Sequence, residues 1–197
     1  MNKSLDKLQS QIGYEFQDIN LLKRALTHRS YLNEDQKVQK SNERLEFLGD
    51  AVLELLISKH LFDNKPDQPE GILTTARSAI VRTETLAQIA KNIQLGDYLL
   101  LSKGEEASGG RKNIHLLANT TEAVVGAIYL DGGIGKSKEF VKNHVLPLAN
   151  DILSRPLKDP KSQLQEKLQA KGYPSPNYDT IKQSGPDHKK TFTIAVS

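Results

Sequence analysis

Apolar residues recur at spacings of three and four through most of the first 155 positions. Residues 19–26, 45–61, 73–93 and 123–130 each carry this pattern, the period of a helix with one face in a core. A further helix is expected over 136–153, bent or interrupted at Pro147, whose ring and missing N–H disrupt the helical ladder. The breaks fall where turn chemistry is strongest. Asp63-Asn64-Lys65-Pro66-Asp67-Gln68-Pro69 cannot continue a helix, Ser102-Lys103-Gly104 and Ala107-Ser108-Gly109-Gly110 bracket a loop, and Asp131-Gly132-Gly133 ends another helix.

The pattern changes after Ser154-Arg155-Pro156-Leu157-Lys158-Asp159-Pro160, which reads as a linker. Residues 162–171 form a short helix stopped by Gly172 and Pro174. Residues 177–183 and 191–196 read as strands. In the second, Phe192, Ile194 and Val196 alternate with Thr193 and Ala195, and Gly185-Pro186-Asp187-His188 is the turn between the two. One helix and two strands have little core of their own, so this second module reads as the start of a longer domain. The division expected is 1–154 for a helical domain, 155–160 for a linker and 161–197 for the partial module.

Charge sharpens this division. The chain of 197 residues has 27 basic and 24 acidic side chains. Residues 156–197 hold seven lysines against four acids, which accounts for the whole net charge of +3. A basic module favours a polyanionic partner, although solubility alone explains so small an excess equally well. With no cysteine, disulfides and thiolate metal sites are excluded. No apolar run approaches the roughly 20 residues that span a bilayer, and the first residues lack the apolar core of a secretory signal. No membrane partner and a cytoplasmic location are therefore expected.

The chemistry concentrates in residues 42–51, Asn-Glu-Arg-Leu-Glu-Phe-Leu-Gly-Asp-Ala. On a helix, Glu43, Glu46 and Asp50 share one face. Like charges about 4 Å apart cost roughly 1 kcal/mol in water and up to roughly 4 near a protein surface. Leu45, Leu48, Val52, Leu55 and Leu56 follow the helical period, with Phe47 and Ala51 widening the apolar side, so residues 42–62 read as a buried helix carrying acids. Buried carboxylates pair or bind a metal. The alternative is a solvated stripe paired with Arg44 or distant lysines. Asn119 and Glu122, three apart before the apolar run 123–130, read either as a capping box or as a pair of metal ligands. His28, His60, His115 and His144 are dispersed and belong to no Ser-His-Asp or Cys-His set.

The segment at 42–51 closely resembles the signature of the ribonuclease III family. Ala25-Leu26-Thr27-His28-Arg29-Ser30-Tyr31, Gly96-Asp97-Tyr98-Leu99, Lys103-Gly104-Glu105-Glu106, Ser108-Gly109-Gly110-Arg111, Glu122 and Val125-Gly126-Ala127-Ile128-Tyr129-Leu130-Asp131 resemble the same family in the same order. The resemblance implies an all-α endonuclease domain that forms a homodimer, followed by an α+β double-stranded-RNA-binding domain, here truncated. It implies Mg²⁺-dependent hydrolysis of double-stranded RNA, with Mn²⁺ as a substitute, leaving 5′-phosphate and 3′-hydroxyl ends. RNA processing, of rRNA above all, is the implied role.

By motif position, Glu46, Asn119 and Glu122 carry over as metal ligands. Asp50 and Glu122 carry over as catalytic acids, with Asp50 orienting the attacking water, and Glu43 as a supporting acid. Phe47 matches a position that packs across the dimer interface. Gln165, Glu166 and His188 match RNA contacts. One departure stands out: family members better known at position 119 carry Asp, whereas this chain has Asn. An amide oxygen still suits a hard cation, but one negative charge is lost. A cleaving enzyme of reduced activity and a non-cleaving RNA-binding relative are the two readings this leaves. Few aromatic residues and no tryptophan argue against a stacking platform for single strands.

Overall fold

In a computed structural model, residues 4–153, 160–186 and 190–197 are described. Two helices form its centre. α3 (Glu43–Asn64) and α7 (Ile114–Phe140) pack against each other more extensively than any other pair of elements. Around them lie α1 (Leu5–Ile12), α2 (Ile19–Ala25), α4 (Glu70–Ile80), α5 (Thr83–Asn92), the short α6 (Lys103–Ala107) and α8 (Leu146–Leu153). α5 and α2 pack on α7, and α4 bridges α3 and α8. The core is aliphatic: Leu45, Leu53, Ile57, Leu86, Val124 and Ile128 are all buried.

The chain divides into two compact units, residues 1–155 and 156–197. In the second, α9 (Pro160–Gln169) is followed by β1 (Tyr178–Ser184) and β2 (Thr191–Val196), paired antiparallel. Tyr178 lies opposite Val196 and Thr180 opposite Ile194; an irregularity between Thr180 and Lys182 then shifts the register. Most of the linker expected at 155–160, and His188 with its part of the turn, lie outside the described residues.

The segment expected as a loop between Ser102 and Gly110 holds the short helix α6, its start capped by Ser102, and three further expectations are corrected. The helix expected over 73–93 is two helices, because Arg82 adopts an extended conformation (φ −66°, ψ 156°) that ends one and opens the next. Neither Val81 nor Arg82 carries turn chemistry, and the break lets α4 face α3 and α8 while α5 faces α7. The helix expected over 123–130 starts a long way earlier. Asn113 caps α7, its side chain accepting from the N–H groups of His115 at 2.9 Å and Leu116 at 3.4 Å. Asn119 therefore sits inside the helix, and the capping reading of Asn119 and Glu122 fails.

The last correction concerns the apolar side of α3. Leu45, Val52 and Leu56 are buried, but Phe47 and Leu55 are 81% and 60% exposed. They form a second apolar stripe with Ala51 and Phe62, turned away from α7. Two other expectations hold. Gly133, at φ 74°, interrupts α7. Before Pro147 the helix widens into a π-turn over Val141–Val145, the wider ladder accommodating the missing proline N–H.

Candidate active site at the crossing of two helices

Two glycines bring the acids together. A Cβ built on Gly49 would lie 1.8 Å from the Glu122 carbonyl oxygen, and one on Gly126 would lie 2.2 Å from that of Leu45. No side chain fits at either position, so α3 and α7 touch backbone to backbone. Glu46 and Asp50 flank Gly49 on one helix; Asn119 and Glu122 precede Gly126 on the other. The close crossing thus places two short rows of oxygen donors beside each other. Both glycines stand in the family-like motifs, but their role is not legible there because spacing alone does not reveal which helix lies opposite.

The electrostatics of the four residues are those of an uncompensated anionic cluster. Burial and the charges of Asp50 and Glu46 push the Glu122 carboxyl up to about 7. Burial and the neighbouring Glu43 and Asp50 also raise Glu46, while an Asn119 amide hydrogen bond to the carboxylate works the other way. Asp50 is raised by partial desolvation and by Glu54, an acid one turn on that no motif singles out. None of the ion pairs among the described residues reaches Glu46, Asp50 or Glu122. The solvated-stripe alternative fails for these three, since no cation among the described residues answers their charge.

Glu43 is different. It pairs with Arg29 at 3.7 Å and accepts a hydrogen bond from Ser41 Oγ at 2.8 Å, so it stands at the edge of the cluster with partners of its own. Of the expected RNA contacts in the second unit, Gln165 is exposed on α9 and Glu166 belongs to the same helix. Phe47 lies on the outer stripe of α3, away from the crossing.

The donor set suits a hard divalent cation: three carboxylates and an amide oxygen, with the carboxylates disfavoured as they stand. They do not form a closed cage. Among the described residues, no group of three His, Cys, Asp or Glu is placed to hold an ion by itself. Mg²⁺ asks for less, since it keeps several waters and takes only one or two carboxylates from a protein.

The comparisons with known proteins agree with this architecture. Residues 18–148 match the family model described as Ribonuclease-III-like. The chain belongs to the ribonuclease III family. Residues 160–197 match the double-stranded RNA binding motif. Ribonuclease 3 of Enterococcus faecalis is 47% identical over 196 residues, covering 99% of this chain and 85% of the relative. Ribonuclease 3 of Clostridium tetani is 46% identical over 199 residues, covering 100% and 84%. The nuclease domain of Ribonuclease III from Campylobacter jejuni superimposes with a TM-score of 0.69 at 40% identity, covering 73% of this chain and 97% of that one. This ribonuclease III is accordingly a double-stranded-RNA-processing endoribonuclease with a helical nuclease unit followed by an RNA-binding unit. No described helix is long and apolar enough to cross a membrane.

Proposed function

We propose that the α3–α7 crossing is the hydrolytic centre, with Glu46, Asn119 and Glu122 holding Mg²⁺ and Asp50 orienting the attacking water. The observation that carries this reading is the set of three acids raised by burial and by neighbouring carboxylates, with no ion-pair partner among the described residues. When bound, the cation supplies Lewis acidity, lowering the pKa of water and offsetting charge at the phosphate. Glu46 and Glu122 supply the negative charge that holds it. Asn119 donates to Glu46, and its amide oxygen is the ligand assigned to the cation. Asp50, nearer solvent, accepts a hydrogen bond from water and sets its line of approach to phosphorus. The products on this reading are a 5′-phosphate and a 3′-hydroxyl, and structured precursors such as rRNA are the substrates.

The enzyme acts as a homodimer, one site for each strand of a duplex. Support comes from the exposed Phe47–Leu55–Phe62 stripe and from the groove of about 460 Å³ beside it, lined by Leu55, Leu61, Phe62 and Leu73. The Campylobacter jejuni nuclease domain has a region involved in dimer formation. Gln165, Glu166 and His188 are assigned to RNA contact by the second unit, which matches the double-stranded RNA binding motif. Glu43 supports the cluster from its edge, and the cytoplasm is the assigned location.

Cleavage of a long duplex RNA, with Mg²⁺ and then Mn²⁺, tests the assignment. The expected result is cleavage by the parent, faster in Mn²⁺ than in Mg²⁺, and faster in Mg²⁺ after Asn119→Asp. Tight duplex binding with no cleavage by either protein would point instead to a non-cleaving relative.

A further inference from the structure

Arg29 is an exposed cation held on a fixed backbone beside the acids of α3. Several independent hydrogen bonds pin its segment. His28 N–H donates to Leu100 O at 3.0 Å, Leu100 N–H donates to Leu26 O at 2.9 Å, and Ser102 N–H donates to Ser30 Oγ at 3.0 Å. The start of α3 is tied to the same place: Asn42 N–H donates to Thr27 O at 2.9 Å, and Arg24 Nε donates to Ser41 O at 3.1 Å. The positions of Arg29 and Glu43 relative to each other are therefore set by the main chain.

The contact between them is an ion pair without a hydrogen bond. The Arg29–Glu43 distance is 3.7 Å, too long for an N–H to oxygen bond. The Arg29 side chain is 73% exposed, and among the described residues no hydrogen bond takes up its guanidinium donors. Glu43 holds the group in place while leaving its donors unspent. Glu43 lies one helical turn before Glu46, so this planar, bidentate donor sits at the rim of a cluster that by itself repels every phosphate of an incoming strand. A guanidinium so placed matches a phosphodiester in charge and geometry.

We propose that Arg29 is a substrate-positioning residue of this ribonuclease III, binding a phosphate of the duplex RNA strand beside the scissile bond, with Glu43 holding its guanidinium in position. The assignment rests on the hydrolytic reading of the α3–α7 crossing. Glu43 then anchors a cation that attracts the phosphate the other acids repel, and does not ligate metal.

The test is steady-state cleavage of one defined duplex RNA in Mg²⁺, at three salt concentrations, by the full chain and by Arg29→Ala, Arg29→Lys and Glu43→Gln. Loss of one charge-assisted phosphate contact predicts a KM about tenfold higher for Arg29→Ala, with kcat changed less than about threefold. The slope of log(kcat/KM) against log salt falls by about one for the lost contact. Arg29→Lys restores the slope but only part of KM, because a point charge replaces a fork. Glu43→Gln raises KM by a smaller factor and keeps the slope. Circular dichroism checks that each variant is folded. Unchanged KM and slope in Arg29→Ala, with the parent cleaving, would overturn this assignment alone. A parent that cleaves no duplex in either metal overturns the hydrolytic reading and this assignment with it.

Discussion

Glu122 sets the pH response of the site. Its carboxyl is pushed up to about 7 by burial and by Asp50 and Glu46. The folded state then binds more protons than the unfolded chain between roughly pH 4.5 and 7. In that window the metal-free protein loses stability as pH rises, and the loss is complete above about 7. Glu122→Gln removes the charge that is disfavoured. With partial exposure allowed for, urea unfolding at pH 8 should find the metal-free variant about 1–2 kcal/mol more stable than the parent, with the difference vanishing near pH 4. Asn119 acts on the same cluster. Asn119→Asp adds a charge beside Glu46 and replaces a donor with an acceptor, so the Mg²⁺ concentration that half-saturates cleavage should fall about tenfold or more.

At the residue scale the sequence is informative about which acids matter and silent about their partners. Glu46 and Asp50 are legible because a helix must put them on one face. That Glu43 is paired with Arg29 and not with Arg44 depends on a loop pinned 14 residues upstream in the chain, which no local spacing encodes. Glu54, four residues after Asp50, shares that face by the same spacing, although it lies outside the 42–51 motif.

The decisive event among the elements is the crossing of α3 and α7. Gly49 and Gly126 permit a backbone contact that any Cβ would block. Gly49→Ala forces α7 away from α3 and separates Glu122 from Glu46. Overpacking of this kind costs about 1–3 kcal/mol, and the displaced acids should lose cleavage by about tenfold or more. Urea denaturation and duplex cleavage on the same preparation measure the two effects. Periodicity locates the helical regions well, since a buried face repeats whatever lies opposite. It misplaces boundaries where the pattern runs on without turn residues, as at Arg82, and where a polar stretch inside a helix mimics its start, as Asn119-Thr120-Thr121-Glu122 does in α7. In both cases tertiary packing decides where a helix begins or stops.

For the whole molecule, the exposed stripe of Phe47, Leu55 and Phe62 is the feature that one chain leaves unexplained. On the dimer reading, Phe47→Asp places a charge where an aromatic ring is buried twice in a symmetric pair. The expected outcome is a monomer by sedimentation equilibrium at concentrations where the parent is a dimer, with helical content retained. The division into a helical unit and a basic strand-bearing unit is visible in composition and period. The second stripe of α3 is not, because an apolar residue bound for a core and one bound for another chain look alike in sequence.

The acids at the α3–α7 crossing, on the reading proposed above, form one metal site per chain. Calorimetric titration of Mn²⁺ into the RNA-free protein at pH 8, repeated at pH 6 and with Glu122→Gln, tests this most directly. The expected result is one binding event per chain, weaker at pH 6 as Glu122 takes up its proton, and abolished in the variant. Binding of equal affinity in parent and variant, unchanged between the two pH values, would contradict it.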